Sequence, residues 1–99
     1  MDPAIREVDP NELRLPPSRA AGGADPWKLH QQARQFGASR VGMPPILVYE
    51  DPDGILEISD GVTRATRVAK LAPDETVPVL VIGHYRRSRS ASPRVRDRL

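Results

Sequence analysis

Eleven prolines in 99 residues constrain this chain more than any other feature. Each fixes φ and removes a backbone donor, so regular elements must fit between them. Pro16-Pro17 stop whatever precedes them, Pro52 suits the start of a turn, and Pro73 ends a helical stretch. Pro78 is tolerable only near a strand's beginning. The apolar fraction is 38 %, with four aromatic residues. Together these predict one small domain with a modest core and long irregular segments.

Local patterns fill the intervals. Ile5-Arg6-Glu7-Val8 alternates as a short strand does, and Asp9-Pro10-Asn11-Glu12 reads as a turn. Leu13-Arg14-Leu15 resumes an extended segment, and residues 16–24 read as a flexible loop. Asp25 as N-cap, Pro26 at the first helical position and Gly37 after the last periodic residue delimit a first helix. It turns Leu29, Ala33 and Phe36 to one face and Lys28, Gln31, Gln32 and Gln35 to water. Trp27, Phe36 and Tyr49 are expected in the core or at its edge. Ile46-Leu47-Val48-Tyr49 is a buried strand, and the turn Asp51-Pro52-Asp53-Gly54 joins it to Ile55-Leu56-Glu57-Ile58 as a hairpin. A second helix runs from near Gly61 to about Ala72. Its small residues face a sheet, while Thr63, Arg64, Arg67 and Lys70 face outward. Val77 to Ile82 is the last strand. The prediction is an α/β (α+β) domain, with a mixed sheet of about four strands and two main helices.

Charge divides the chain at residue 83. Residues 84–99 hold Arg86, Arg87, Arg89, Arg94, Arg96 and Arg98 against Asp97, a net +5, whereas residues 1–83 carry −3. The predicted boundaries are therefore a folded unit over 1–83 and a disordered arginine-rich tail over 84–99. An acidic body is a poor general nucleic-acid binder, so any such affinity is expected in the tail arginines. The chain has no cysteine, which excludes disulfides, thiolate metal sites and thiol catalysis. His30 and His84 are isolated, so no metal site is expected. No apolar run approaches the roughly 18 residues of a spanning helix, and Met1-Asp2-Pro3 is unlike a signal peptide. The expectation is a soluble cytoplasmic protein without a membrane partner.

The chemistry is concentrated at Ser59-Asp60-Gly61-Val62-Thr63-Arg64, where a strand runs into a helix. A helix N-terminus presents free amides and a partial positive charge, which favour an anion. Gly61 lets the backbone approach a ligand, Thr63 adds a hydroxyl, and Arg64 adds a planar cation able to grip two phosphate oxygens. Arg67 follows one turn later. Asp60 reads first as a cap for the helix, with general-base or nucleotide-metal roles left open.

These stretches resemble the ParB-like N-terminal domain of the ParB/sulfiredoxin-like superfamily. The likeness lies in Met43-Pro44-Pro45-Ile46-Leu47-Val48, the turn at 51–54, Glu57 through Lys70 with its Gly-x-x-Arg turn, and Val77-Pro78-Val79. The wording Gly61-Val62-Thr63-Arg64-Ala65-Thr66-Arg67 is also similar to ParB-like domains of bacterial polymorphic toxins. The resemblance implies a bacterial, DNA- or nucleotide-related module holding a phosphate at Gly61, Thr63 and Arg64, with Asp60 and Arg67 beside it. A nucleoside triphosphate with magnesium is the cofactor it allows. Two departures narrow the activity. Sulfiredoxins carry a catalytic cysteine where Val62 stands and a histidine where Thr63 stands, so that chemistry is excluded. CTP-hydrolysing ParB proteins carry Glu-Arg-Arg after the glycine, and Val62 replaces the acid. Phosphate binding without fast catalysis is the expected function; a nuclease or toxin-type phosphate-transfer enzyme is the alternative.

Overall fold

The computed structural model describes residues 5–99, and the Met1-Asp2-Pro3 start lies outside them. The strands are β1 (Ile5–Val8), β2 (Ile46–Glu50), β3 (Leu56–Asp60) and β4 (Val77–His84). The helices are α1 (Pro26–Phe36) and α2 (Val62–Leu71). The four strands form one mixed sheet in the order β1-β4-β2-β3. β4 pairs antiparallel with β1 and parallel with β2, while β2 and β3 form the antiparallel hairpin. The α+β architecture expected from the sequence is the one observed.

Side chains that alternate along the strands set the core. Ile46 and Val48 of β2 align with Val79 and Val81 of β4, and Ile58 of β3 sits opposite Val48. Ile46, Val48, Ile58, Val77 and Val79 are all at most 1 % exposed. Against this face lies α2, whose Ala65, Val68 and Ala69 are buried and small enough to let helix and sheet approach closely. Leu13 and Leu15 complete the cluster. The extended segment holding them runs beside β3: the Arg14 amide donates to Leu56 O at 2.9 Å, and the Ile58 amide donates to Arg14 O at 2.9 Å. That contact covers an edge that would otherwise be open to pairing.

α1 is bounded as its sequence predicts. Asp25 accepts from the amides of Trp27 and Lys28, Pro26 opens the helix, and Gly37 closes it at φ 57°. No residue of α1 is fully buried. Trp27 is 67 % exposed and Phe36 is 44 % exposed, and neither belongs to the core or packs against it, which corrects the expectation that they lie in the core or at its edge. A Trp in the first turn of a helix that lies at the margin has no layer above it to enter.

The largest correction concerns residues 84–99, which are not a loose tail. They fold back as a strap across the edge made by Leu13–Leu15. The Leu15 amide donates to Pro93 O at 2.8 Å and the Val95 amide to Leu13 O at 2.9 Å. Val95, 1 % exposed, belongs to the core, so the boundary at residue 83 divides a single packed unit. The physical reason lies in carboxylates far away in sequence. Glu57, buried on β3, accepts from Arg89 Nε at 2.8 Å and from Tyr85 Oη at 2.8 Å. Asp51, 4 % exposed, accepts from the Arg89 amide at 2.7 Å. Glu12 pairs with both Arg94 and Arg96. Arg98 Nε donates to the carbonyls of Ala20 and Ala21. Ordering entropy that composition alone could not offset is offset here by buried charge-assisted hydrogen bonds. No helix among the described residues is long and apolar enough to cross a membrane.

Candidate phosphate-binding site

The junction of β3 and α2 is built around one glycine. Gly61 is the N-cap of α2 and holds φ 116°, a left-handed conformation that side chains resist. A Cβ there would stand 2.9 Å from Arg64 Nη2 and 3.1 Å from Ile46 Cγ1. Torsion requires glycine here, and a side chain would also crowd Arg64 and Ile46. Glycine also leaves the helix without a side-chain cap, so the first-turn amides keep their capacity to meet an anion.

Asp60 does not cap α2, contrary to the first reading of it. It is the last residue of β3, its side chain is 71 % exposed, and its Oδ2 lies 3.8 Å from Arg64 Nη2. The cap position belongs to Gly61, one residue later, because the backbone needs the left-handed turn there.

Arg64 is held rather than free. Its side chain is 20 % exposed, and Nη2 donates to Pro45 O at 3.2 Å. Its Nε is buried with no partner among the described residues.

Arg64 forms one wall of a cleft of about 310 Å³. Asp60, Gly61, Val62 and Thr63 line it from the junction, Arg19 and Ser18 from the loop before α1, and Lys28 and Gln32 from α1. Arg19 and Lys28 were missed by sequence reasoning. The first stood in a segment read as a flexible loop, and the second read as a solvated helix face. The loop is in fact shaped by a 3-10 turn over Pro17–Arg19 and by Gly23, which packs under Arg98. No local signal in PPSRAAGGA announces that partner. Three cations, the hydroxyls of Ser18 and Thr63 and a helix N-terminus thus converge on one cavity, a combination suited to a polyanion.

Arg67 is placed differently from its expectation as an outward phosphate ligand. It is 2 % exposed and lies under α1. Nη1 donates to Gly37 O at 2.9 Å and to Ser39 O at 2.7 Å, Nε donates to Gln32 Oε1 at 3.4 Å, and the guanidinium stacks 5.3 Å from the Phe36 ring. Burial pushes its pKa below the ordinary arginine value. It is not among the residues lining the cleft, and it ties the C-terminal end of α1 to α2. Of the six C-terminal arginines, Arg89, Arg94, Arg96 and Arg98 are engaged by the body, which leaves Arg86 and Arg87 without a partner among the described residues. Among the described residues no three His, Cys, Asp or Glu side chains cluster to hold a metal ion.

No family model matches the chain, and no curated protein does. Solved structures do, among them the following two. SbnI with a C-terminal truncation, from Staphylococcus aureus, superposes with a TM-score of 0.63 at 25% identity over 80% of this chain. The C-terminally truncated chromosome-partitioning protein ParB from Caulobacter crescentus, complexed with CTP-gamma-S, superposes with a TM-score of 0.57 at 25% identity over 94% of it. The chain spans 30% of the first structure and 48% of the second. With its mixed four-stranded sheet, two helices and glycine-opened α2, the chain has a ParB-like fold.

Proposed function

We propose that this domain is a phosphate-binding module for a nucleotide or a nucleic-acid phosphate, held at the N-terminus of α2 without fast catalysis. The observation that carries the reading is the cleft at the uncapped N-terminus of α2, which Arg64, Arg19 and Lys28 line together. A phosphate there would meet three cations and accept from the uncapped amides of α2. Thr63 and Gly61 give the oxyanion a hydroxyl and close access to backbone. The ParB structure with CTP-gamma-S supports a nucleotide as the first ligand to try. Val62, beside the glycine, can neither move a proton nor hold a metal, which supports binding over turnover.

Titration with CTP, ATP and inorganic phosphate, each with magnesium, tests this through backbone amide shifts. Residues 60–65 are expected to shift first, and Arg64→Ala to weaken binding by about 1.5–3 kcal/mol. Shifts confined to other elements sink the site. Multiple-turnover hydrolysis or nucleic-acid cleavage that disappears in Asp60→Ala or Arg64→Ala replaces the binding module with an enzyme.

A further inference from the structure

Charge is distributed unevenly over the fold, and the two helices hold the positive share. No Asp or Glu lies between Asp25 and Glu50, and none between Asp60 and Asp74. Those two stretches contain α1 and α2 with Lys28, Arg34, Arg64, Arg67 and Lys70. The acidic residues sit on the strands and turns, where they already engage Arg89, Arg94 and Arg96 of the strap. The N-cap of α1 is itself an acid, Asp25, one oxygen of which accepts from two backbone amides.

The outward stripe of α1 joins this charge to an aromatic ring. Trp27, Gln31 and Arg34 follow one another at i, i+4 and i+7, with Lys28 and Gln35 alongside, and all five are exposed. Lys28 and Arg34 make no ion pair among the described residues, and Gln31, Arg34 and Gln35 line an open depression. At 67 % exposure, Trp27 is the chain's one tryptophan and is set on a helix with no buried residue. Packing does not require it there.

We propose that the outer face of α1 binds single-stranded nucleic acid, with a base stacked on Trp27 and backbone phosphates on Lys28 and Arg34. An exposed ring interleaved with unpaired cations and amide side chains is the combination that single strands use: stacking is indifferent to sequence, and cations track the backbone. The acid-free helices spare a bound strand the repulsion that the carboxylates of the strands and turns would exert. The surface lies beside the cleft through Lys28 but stands apart from it, since Trp27, Arg34 and Gln35 do not line the cleft.

Emission from Trp27 reports the contact directly. Titrating the full chain with a short oligothymidylate is expected to quench it, and the affinity to fall steeply with salt. With a labelled oligonucleotide read by anisotropy, Trp27→Ala and Arg34→Glu are each expected to weaken binding by about tenfold, while Arg64→Ala leaves the Trp27 quench in place. Unchanged emission on binding, undiminished binding by Arg34→Glu, or an equal quench by base-free polyphosphate overturns the proposal. So does loss of the quench in Arg64→Ala alone, which assigns the strand to the cleft. Quenching by oligothymidylate without any response of residues 60–65 to CTP or phosphate keeps the α1 surface and removes the cleft reading instead.

Discussion

Arg89 and Glu57 are joined by two donors on one oxygen: Nη2 lies 2.6 Å and Nε 2.8 Å from Oε1, on a carboxylate that is 2 % exposed. Tyr85 Oη and Ser92 Oγ complete its shell. The pair raises the Arg89 pKa, and burial together with the bond to Glu57 raises that of Tyr85. A charge buried this deeply is harmless only while its partners stay, so the strap and the sheet are mutually dependent.

Arg89→Ala is therefore expected to destabilise the fold by about 3 kcal/mol, since it strands Glu57 without a cation. Urea denaturation measures it. Arg89→Ala combined with Glu57→Gln is expected to cost less than the two single changes added together, as residues in one network do. Additive costs would mean that the two side chains do not cooperate.

Truncation after Tyr85 removes Val95 and uncovers Leu13 and Leu15. The shortened chain is expected to be less stable than a Val95→Ala variant, which itself loses about 2 kcal/mol. Thermal unfolding of the three proteins side by side decides this. A truncated chain that unfolds at the temperature of the intact one would return residues 84–99 to the status of a free tail.

Gly61→Ala meets both a forbidden torsion and the Arg64 guanidinium. A loss of about 1–3 kcal/mol in stability is expected, together with weakened phosphate binding. Arg67→Met separates the two consequences. It strips Gly37 O, Ser39 O and Gln32 Oε1 of their donor and lowers stability; Gln32 lines the cleft, but the cleft keeps its three cations and the amides of α2. Its affinity for CTP, measured by calorimetry well below the unfolding temperature, is expected within about twofold of the parent.

Acid is expected to loosen the strap at Asp51. Burial alone pushes that carboxyl upward, but the amides of Arg89, Ile55 and Asp53 outweigh it and hold the pKa below the ordinary value. A depressed folded pKa contributes stability above the ordinary carboxylate range, near pH 4, and loses it as pH falls through the lower folded value. Hydrogen exchange at the Arg89 amide should accelerate on acidification in the parent. In Asp51→Asn that acid dependence should flatten, and an unchanged profile would assign it to another carboxylate.

What could be read in advance was local. Asp25, Pro26 and Gly37 carry their helix boundaries in their own backbone preferences, and Asp51 to Gly54 carry a turn. The apolar runs of β2, β3 and β4 needed no partner to be recognised. Arg67 was illegible because periodicity assumes that a guanidinium faces water, whereas two carbonyls after α1 were waiting to accept from it. Arg89 was illegible for the same reason at longer range: its carboxylate lies 32 residues away. The cleft was half legible. Gly61, Thr63 and Arg64 stand together in sequence, while Arg19 and Lys28 arrive through tertiary packing.

The position of β4 has a consequence for how the chain reaches this form. It is the last strand in sequence but lies inside the sheet, flanked by β1 and β2. Until Val77 to His84 have been synthesised, β1 has no neighbour and the β2–β3 hairpin has only one open side to offer. The hairpin pairs residues close in sequence, whereas closing the sheet requires β1 and β4 to join segments some seventy residues apart. Contacts this remote make for slow folding. A nascent chain paused before Val77 would hold its parts without holding its fold.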